Sequence, residues 1–539
     1  MSSAFSVALN GLDVPDTLRT QLVDDGVAAR LVQKDATLWG PEAEDESAVR
    51  LGWLDLPASS RQLVSRLADL RTELAGEGLD RIVLCGMGGS SLAPEVICRT
   101  AGVPLVVLDT TDPGQVSAAM TDLHRTVVVV SSKSGGTVET DSHRRAFIAA
   151  FAAAGLDEKR IGGRFVVVTD PGSPLADTAA EMGARAVFLA DPTVGGRYSA
   201  LSAFGLVPSA LAGADVGALL DEAEELAERL AASDNAALEL GAALGAAFRS
   251  GRDKLGLADG DSAELGTSIK GFGDWAEQLI AESTGKEGRG ILPVVLESDE
   301  APGASAPDVL LAVVGSGTPA KQPSVGVSGP LGAQFLGWEY ATAVAGRVLG
   351  INPFDQPNVT ESKDNTNRIL DEGLPDERPE ATIGAIEVRG SGGVLDGVDL
   401  SSHDGVRLAL DALLNSIPPR GYLAVMAYLD RERDASAQDL RGALARRTEH
   451  AVTFGWGPRF LHSTGQYHKG GPQVGAFLQV TGAVAEDLAV PEKPFSFATL
   501  QAAQAAGDRK ALADRGRPLL HLHLTDRAAG LGQLLEALG

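Results

Sequence analysis

The sequence predicts an α/β protein built on two parallel β-sheets, and three observations support that prediction. Its 539 residues exceed the length at which a single hydrophobic core stops growing, so two or three compact units are expected. Hydrophobic residues make up 44% and charged residues 22% of the chain, as is typical of a globular protein. Short apolar runs rich in β-branched residues alternate with helix-length segments, the pattern of parallel sheets covered by helices on both faces.

The first sheet is expected to follow a helical N-terminal segment, residues 1–80. Apolar residues recur at helical spacing between Ser60 and Gly78, and the period then changes to that of strands. Residues 81–215 are therefore assigned to the first sheet unit. Its candidate strands are Arg81–Cys85, Pro104–Leu108, Thr126–Val130, Phe165–Thr169 and Ala186–Leu189.

A second sheet unit is predicted for residues 216–375, beginning with a linker helix. The stretch Val216–Ser233 places charges on one face and Leu and Ala on the other, which indicates an amphipathic helix. Strands are expected in ILPVVL from Ile291 and in VLLAVVG from Val309. Residues 376–539 are predicted to be an α/β region that completes or caps the second sheet, with strand-like runs GYLAVMAYLD, HAVTFGWG and GAFLQVTG.

Charge, hydropathy and cysteine content exclude several classes of function. The formal net charge of −26 repels nucleic acids and anionic membranes, so neither is an expected partner. The N-terminus lacks a basic segment followed by an apolar run, and there is no apolar stretch of about 18 residues, so a cytoplasmic protein is expected. Cys85 and Cys98 have no metal-ligand companions nearby, so neither a disulfide nor a metal site is predicted, and no cofactor is expected.

Two loops at the ends of predicted strands have the composition of a phosphate site. The first, residues 86–94, reads GMGGSSLAP, and the second, residues 131–140, reads SSKSGGTVET. Glycines let backbone N–H groups converge on an anion, and hydroxyl groups add donors. The alternative for each loop is a turn that binds nothing, but two such loops on nearby parallel strands would meet at one edge of the sheet. The candidate phosphate ligands are Gly89, Ser90, Ser132, Lys133, Ser134 and Thr137.

The loops resemble those of sugar-isomerase (SIS) domains, and further motifs resemble the glucose-6-phosphate isomerases, in particular the isomerase half of bacterial transaldolase fusions. These motifs are GGRYS at 195–199, Q-x-x-x-E-S-x-G-K at 278–286, NPFDQP at 352–357 with a lysine at 363, and LHSTGQY at 461–467. The resemblance implies two doubly wound SIS domains with flanking helices. It also implies an aldose–ketose isomerase of glycolysis and gluconeogenesis that interconverts glucose 6-phosphate and fructose 6-phosphate through a cis-enediol.

The resemblance assigns a role to each matching residue. Glu282 would move a proton between C1 and C2 of the sugar, as one carboxylate that reaches both carbons can do. Arg197 and Gln278 would stabilise the enediolate. Lys363 and His462 would open the sugar ring, a task for which a histidine is suited near neutral pH. The further residues expected to contact the substrate are Gly196, Gln356 and His468.

Several alternatives stay open at the level of the sequence. LHSTGQY follows the NPFDQP motif here, whereas it precedes that motif in the common forms of the family. His468 lies close to His462 in the sequence and competes with it for the ring-opening role. The chain could bind sugar phosphates as a sensor without turnover, or could also accept mannose 6-phosphate. A homodimer is expected because the family builds its active site across two chains.

Overall fold

The computed structural model describes residues 4–260, 269–315, 319, 321–375 and 377–539. Within these ranges the chain folds into an α/β protein with two parallel sheet cores, as predicted, and a mixed third sheet. Among the described helices, none combines the length and the apolar character needed to cross a bilayer.

The N-terminal segment is mainly helical, but it begins with a strand that the sequence did not predict. This strand, β1, pairs with the edge of the second sheet, where Ser6 lies opposite Ser328 in antiparallel register. The elements of the segment are β1 (Ser6–Asn10), α1 (Asp16–Asp24), α2 (Val27–Val32), α3 (Glu44–Ala48), α4 (Leu56–Ser59) and α5 (Gln62–Gly76).

The first sheet contains the five strands that were predicted for it. They are β2 (Arg81–Gly86), β3 (Val106–Leu108), β4 (Thr126–Ser131), β5 (Phe165–Thr169) and β6 (Ala186–Leu189). The strand order is β3-β2-β4-β5-β6, and neighbouring strands run parallel. The helices of this unit are α6 (Leu92–Ala101), α7 (Pro113–Ala119), α8 (Val138–Ala153), α9 (Glu158–Gly162), α10 (Pro174–Glu181) and α11 (Ala203–Ala212).

The second sheet has the order β1-β10-β9-β7-β8 and is parallel apart from β1. Its strands are β7 (Lys254–Asp259), β8 (Leu292–Val295), β9 (Val309–Val314) and β10 (Ser324–Ser328), of which β8 and β9 were predicted. Its helices are α12 (Val216–Ala227), α13 (Ala236–Arg249), α14 (Phe272–Thr284), α15 (Leu331–Leu349) and α16 (Val359–Glu372).

The C-terminal region forms a sheet of its own instead of adding strands to the second one. Its order is β11-β12-β16-β15-β13-β14, and β13 to β16 run parallel. Apolar side chains such as Tyr422 and Met426 pack against Leu292 and Val294 of the second sheet. The strands are β11 (Ala381–Ile383), β12 (Ile386–Ser391), β13 (Tyr422–Tyr428), β14 (Ala451–Trp456), β15 (Gly475–Gly482) and β16 (Leu519–Leu524). The helices are α17 (Gly405–Asn415), α18 (Asp439–Ala445), α19 (Gly465–Gly470), α20 (Phe497–Ala513) and α21 (Arg527–Leu538).

Candidate active site

The two predicted phosphate loops meet at the carboxyl edge of the first sheet. Strand β3 lies on one side of β2, and the next strand in the sequence, β4, lies on the other side, so the strand order reverses between β2 and β4. Open α/β sheets bind ligands at such a point. Gly86 at the end of β2 lies in register with Ser131 at the end of β4. In the second loop the hydroxyl groups of Ser132 and Thr137 are 3.1 Å apart.

Glycine is required in the first loop because other loops approach it closely. Gly88 has φ +55°, and a Cβ there would lie 2.6 Å from Nε2 of Gln278. A Cβ on Gly89 would lie 1.9 Å from the carbonyl oxygen of Gly196. The first loop is therefore packed against both α14 and the GGRYS turn, which brings three of the sequence motifs together.

Glu282 lies near the end of α14 and is only 5% exposed. Its Oε2 is 3.5 Å from Nη1 of Arg197, and Gln278 lies one turn earlier on the same helix. Burial raises the pKa of Glu282 above its ordinary value, while Arg197 and His462 oppose that rise. A buried carboxylate with a raised pKa is suited to accepting and returning a proton.

Arg197 is fixed by hydrogen bonds on several sides. Its Nε donates to Oγ of Ser283 at 2.8 Å, and its Nη2 donates to the carbonyl oxygens of Pro353 and Asp355 at 2.7 and 2.9 Å. Nη1 donates to Oε1 of Gln356 at 3.2 Å. The guanidinium group is thus preorganised beside Glu282 before any substrate binds, as electrostatic stabilisation of a developing negative charge requires.

A second buried cation, Lys286, anchors the NPFDQP turn. Its ammonium group donates to the carbonyl oxygens of Asn352 and Asp355 at 2.8 and 2.7 Å, and to Oδ1 of Asp355 at 2.5 Å. Burial, together with the nearby charge of Arg197, lowers the pKa of Lys286 to about 8. The lysine of the E-S-x-G-K motif therefore stabilises the NPFDQP turn, whose backbone carbonyl groups hold Arg197.

His462 reaches the site from the C-terminal region of the same chain. Its Nε2 lies 3.1 Å from Oε1 of Glu139, and Nε2 of Gln504 donates to the same carboxylate oxygen at 2.7 Å. Interaction with His462 lowers the pKa of Glu139 despite the burial of that carboxyl. Glu139 is thus an anion that orients the imidazole ring.

Buried ion pairs explain how the C-terminal region brings His462 to this place. Arg459, three residues earlier, donates from Nη1 to Oε2 of Glu95 at 2.5 Å and to Oδ2 of Asp109 at 2.8 Å. Both acids belong to the first sheet unit, and Asp109 also accepts a hydrogen bond from Ser91 of the first loop at 3.0 Å. The histidine turn is therefore docked directly behind the phosphate loop.

A cavity of about 90 Å³ lies between the second loop, α16 and the histidine turn. Its lining includes Thr137, Glu139, Lys363 and His462. Lys363 is on the exposed side of α16. The cavity thus joins the predicted phosphate loop to the two residues that were predicted to open the sugar ring.

The other predicted phosphate ligands differ in their exposure and in their present contacts. Ser90 is buried in the first loop, and Ser134 is exposed in the second. The ammonium group of Lys133 is 2.6 Å from Oδ2 of Asp170, so it would have to leave that carboxylate to bind phosphate.

His468 lies in the core of the C-terminal region and does not line the cavity. Its Nδ1 is 3.0 Å from the hydroxyl oxygen of Tyr422, and its ring packs edge-on against Phe477. Burial lowers its pKa well below the ordinary histidine value. The structure therefore places His462, and not His468, at the cavity.

Sequence reasoning missed two residues of the site, Glu139 and Gln504. Glu139 stands inside the second loop motif, but nothing in the sequence indicates that a histidine far along the chain pairs with it. Gln504 lies on α20, outside the motifs. Among the described residues, no group of three or more His, Cys, Asp or Glu side chains is placed to hold a metal ion.

Comparison with known proteins finds one family model that matches part of the chain. The family model described as phosphoglucose isomerase matches residues 62–286, which include the two loops, Arg197 and Glu282. A glucose-6-phosphate isomerase from Rubrobacter xylanophilus is 28% identical over 381 residues, covering 58% of this chain and 87% of that protein. One from Rippkaea orientalis is 35% identical over 218 residues, and the match spans 38% of this chain and 40% of that protein.

Solved structures resemble about two thirds of the chain. A hypothetical protein from Thermus thermophilus is 26% identical, with a TM-score of 0.54 over 67% of this chain and 100% of its own. A glucose-6-phosphate isomerase from Chlamydia trachomatis is 19% identical, with a TM-score of 0.53 over 68% of this chain and 89% of its own. The latter likeness shows the fold.

Proposed function

We propose that the chain is a phosphoglucose isomerase, the family whose model matches residues 62–286, and that it interconverts glucose 6-phosphate and fructose 6-phosphate with Glu282 as the base that moves the proton. The observation that best supports this proposal is the buried pair of Glu282 and Arg197, 3.5 Å apart, beside the loop that contains Gly88 and Gly89. A proton acceptor and a fixed cation are the two groups that an enediol route needs.

The phosphate group of the substrate would be held by the two loops at the end of the first sheet. The candidate donors there are the backbone N–H of Gly89 and the hydroxyls of Ser90, Ser132 and Thr137, since the backbone N–H groups of Ser90 and Ser91 already donate to the carbonyl oxygens of Met87 and Gly88. Lys133 and Ser134 are further candidates, which would turn towards the phosphate on binding. Anchoring one end of the sugar in this way lowers the entropic cost of holding C1 and C2 beside Glu282.

Ring opening is assigned to His462 and Lys363. The carboxylate of Glu139 holds the imidazole of His462, so the ring can exchange a proton with the sugar ring oxygen or O1 without rotating away. Small-molecule sites usually measure about 300 Å³ or more, whereas this cavity measures about 90 Å³. The exposed Lys363 side of the cavity would therefore open when the sugar enters and would close onto it afterwards.

In the isomerisation step, Glu282 takes the proton from C2 of the open-chain aldose and returns it to C1 of the enediol, while O1 gains a proton and O2 loses one, so that the carbonyl group moves from C1 to C2. Arg197 and Gln278 would stabilise the negative charge that develops on the enediolate oxygens. Gly196 and Gln356 lie beside Arg197 and would contact the sugar hydroxyls. A sensor without turnover is not favoured, because binding alone does not need a base, a cation and a histidine–carboxylate pair.

The cellular location is proposed from the activity, and the oligomeric state from the family resemblance. The hexose 6-phosphates of glycolysis and gluconeogenesis are cytoplasmic metabolites, so a cytoplasmic enzyme is proposed. A homodimer is proposed from the family resemblance. His462 lies beside Glu139 of its own chain. The proposal therefore does not need a partner subunit to supply this histidine. Sedimentation equilibrium combined with activity at the same concentrations tests whether a monomer is active.

The activity is tested by supplying fructose 6-phosphate and coupling product formation to an added glucose-6-phosphate dehydrogenase. Wild type should turn over, and Glu282→Gln should lose about 10²-fold or more in kcat because its general base is gone. The matched control is Glu277→Gln, a change on the same buried helix. Tight binding of fructose 6-phosphate without turnover in wild type would overturn the proposal, and mannose 6-phosphate assayed in parallel tests the wider specificity.

A further inference from the structure

A second cavity lies in the C-terminal region, between its sheet and α20. It measures about 490 Å³, within the range of small-molecule sites. From β13 the chain passes to β14 on one side and then to β15 on the other, so the strand order reverses between β13 and β15. Tyr428 at the end of β13 and Thr481 near the end of β15 both line the cavity, which is thus at the switch point where open α/β sheets bind ligands.

The sequence of β16 directs two histidines into this switch-point cavity, lined by Tyr428, Thr481, Gln501, His521 and His523. Strand β16 reads LLHLHL, and alternation sends its leucines at 520, 522 and 524 into the apolar core. Both rings bond the hydroxyl of Thr481, from Nε2 of His521 at 2.9 Å and from Nδ1 of His523 at 2.8 Å. Burial lowers the pKa of both histidines.

Three side chains of the cavity wall are buried and have a polar atom without a partner among the described residues. They are Tyr428, Gln501 and His521, exposed by 1%, 5% and 6%, and the atoms are the hydroxyl, Nε2 and Nδ1. Unsatisfied buried polar groups are costly and uncommon in native proteins. The hydroxyl of Tyr428 and Nε2 of Gln501 are hydrogen-bond donors, and Nδ1 of His521 donates in one tautomer. The cavity wall thus presents donors that have no acceptor among the described residues.

Two pairs of opposite charges line the cavity, and one of the arginines keeps a donor without a partner among the described residues. Arg389 and Arg509 both line it. Each is 2.7 Å from a carboxylate that also lines the cavity, of Glu387 and Glu377 respectively, but Nη1 of Arg389 is buried and has no partner among the described residues. An anionic ligand that supplies several acceptor atoms would satisfy this donor and the three unpartnered atoms of the wall together.

We propose that the switch-point cavity is a second ligand site, which binds a small metabolite through a phosphate or carboxylate group. The site is separate from the catalytic one. On α20, Gln501 lines the switch-point cavity, whereas Gln504 holds Glu139 at the catalytic cavity. The lining of the two cavities has no residue in common.

Binding is tested by equilibrium dialysis of the full chain with inorganic phosphate and, separately, with malonate as a dicarboxylate. The double variant Ser132→Ala/Thr137→Ala removes two candidate phosphate donors of the catalytic loop. We expect at least one probe to bind this double variant at a second site with unchanged affinity. That site should weaken about tenfold or more in Arg389→Gln. Arg407→Gln is the matched control, because Arg407 lies on the surface of the same region and its loss should change nothing.

A second variant covers the case in which Arg389→Gln destabilises the fold. Ala502→Phe fills the cavity from α20 and should abolish the same site without removing a charge. Binding of phosphate alone assigns an organic phosphate to the cavity, and binding of malonate alone assigns a carboxylate. If neither probe binds a site that responds to either variant, the proposal is wrong, whatever the isomerase activity.

Discussion

The close approach of Gly89 to Gly196 makes a sharp prediction. In Gly89→Ala the new methyl group would lie 1.9 Å from the carbonyl oxygen of Gly196, 2.5 Å from its carbonyl carbon and 3.1 Å from its Cα. The atoms it meets belong to backbone, so no side-chain rotation relieves the clash. For an ordinary contact near 3.4 Å, the phosphate loop and the GGRYS turn must separate by about 1.5 Å.

Such a displacement moves the phosphate site relative to Arg197. A misplacement of about 1 Å can reduce a rate by about 10²-fold, so we expect kcat/KM for fructose 6-phosphate to fall by about that factor or more. The overpacking should also lower the free energy of unfolding by about 1–3 kcal/mol, measured by urea denaturation. Gly195→Ala is the control, since the nearest atom to its Cβ would be Cδ2 of Tyr198 at 3.9 Å. Wild-type kcat/KM in Gly89→Ala would refute the reasoning.

Three further predictions follow from the charges of the site. Arg197 lowers the pKa of Glu282, so Arg197→Gln should move the acid limb of the kcat/KM–pH profile to higher pH; an unmoved or lowered limb counts against the pairing. In Glu139→Gln, His462 loses its anionic partner, and kcat should fall about tenfold or more, whereas unchanged steady-state turnover would show that the pair is not used. The folded-state pKa of Glu277 is raised from 4.5 to about 8 by burial, so its contribution to stability declines as pH rises between those values. Glu277→Gln should flatten that decline in urea midpoints, and an identical slope in both proteins would contradict the raised pKa.

The elements that sequence reasoning identified best are those with strong local patterns. The runs at Thr126–Ser131 and Phe165–Thr169 are almost wholly apolar and β-branched, and both are buried strands. Strands β7 and β10 were missed because their sequences KLGLAD and SVGVS contain glycine and polar residues that break such a run. Strand β1 depends on pairing with a segment far along the chain, which no local pattern reports.

The candidate site divides in the same way. Glycine-rich loops and the surroundings of Glu282 and Arg197 are local motifs, so the sequence was sufficient to single them out. The pairing of His462 with Glu139 depends on how the C-terminal region docks, through the ion pairs of Arg459. His462 and His468 lie only six residues apart, so their different burial becomes visible only in the folded chain.

The central claim is that Glu282 transfers the proton between the two sugar carbons, and isotope exchange tests it most directly. Fructose 6-phosphate incubated with the enzyme in D₂O can acquire deuterium at C1 whenever the enediol-bound carboxyl exchanges with solvent, which proton NMR detects. Wild type and Glu277→Gln should both incorporate deuterium, and Glu282→Gln should not. Exchange at the wild-type rate in Glu282→Gln would contradict the claim.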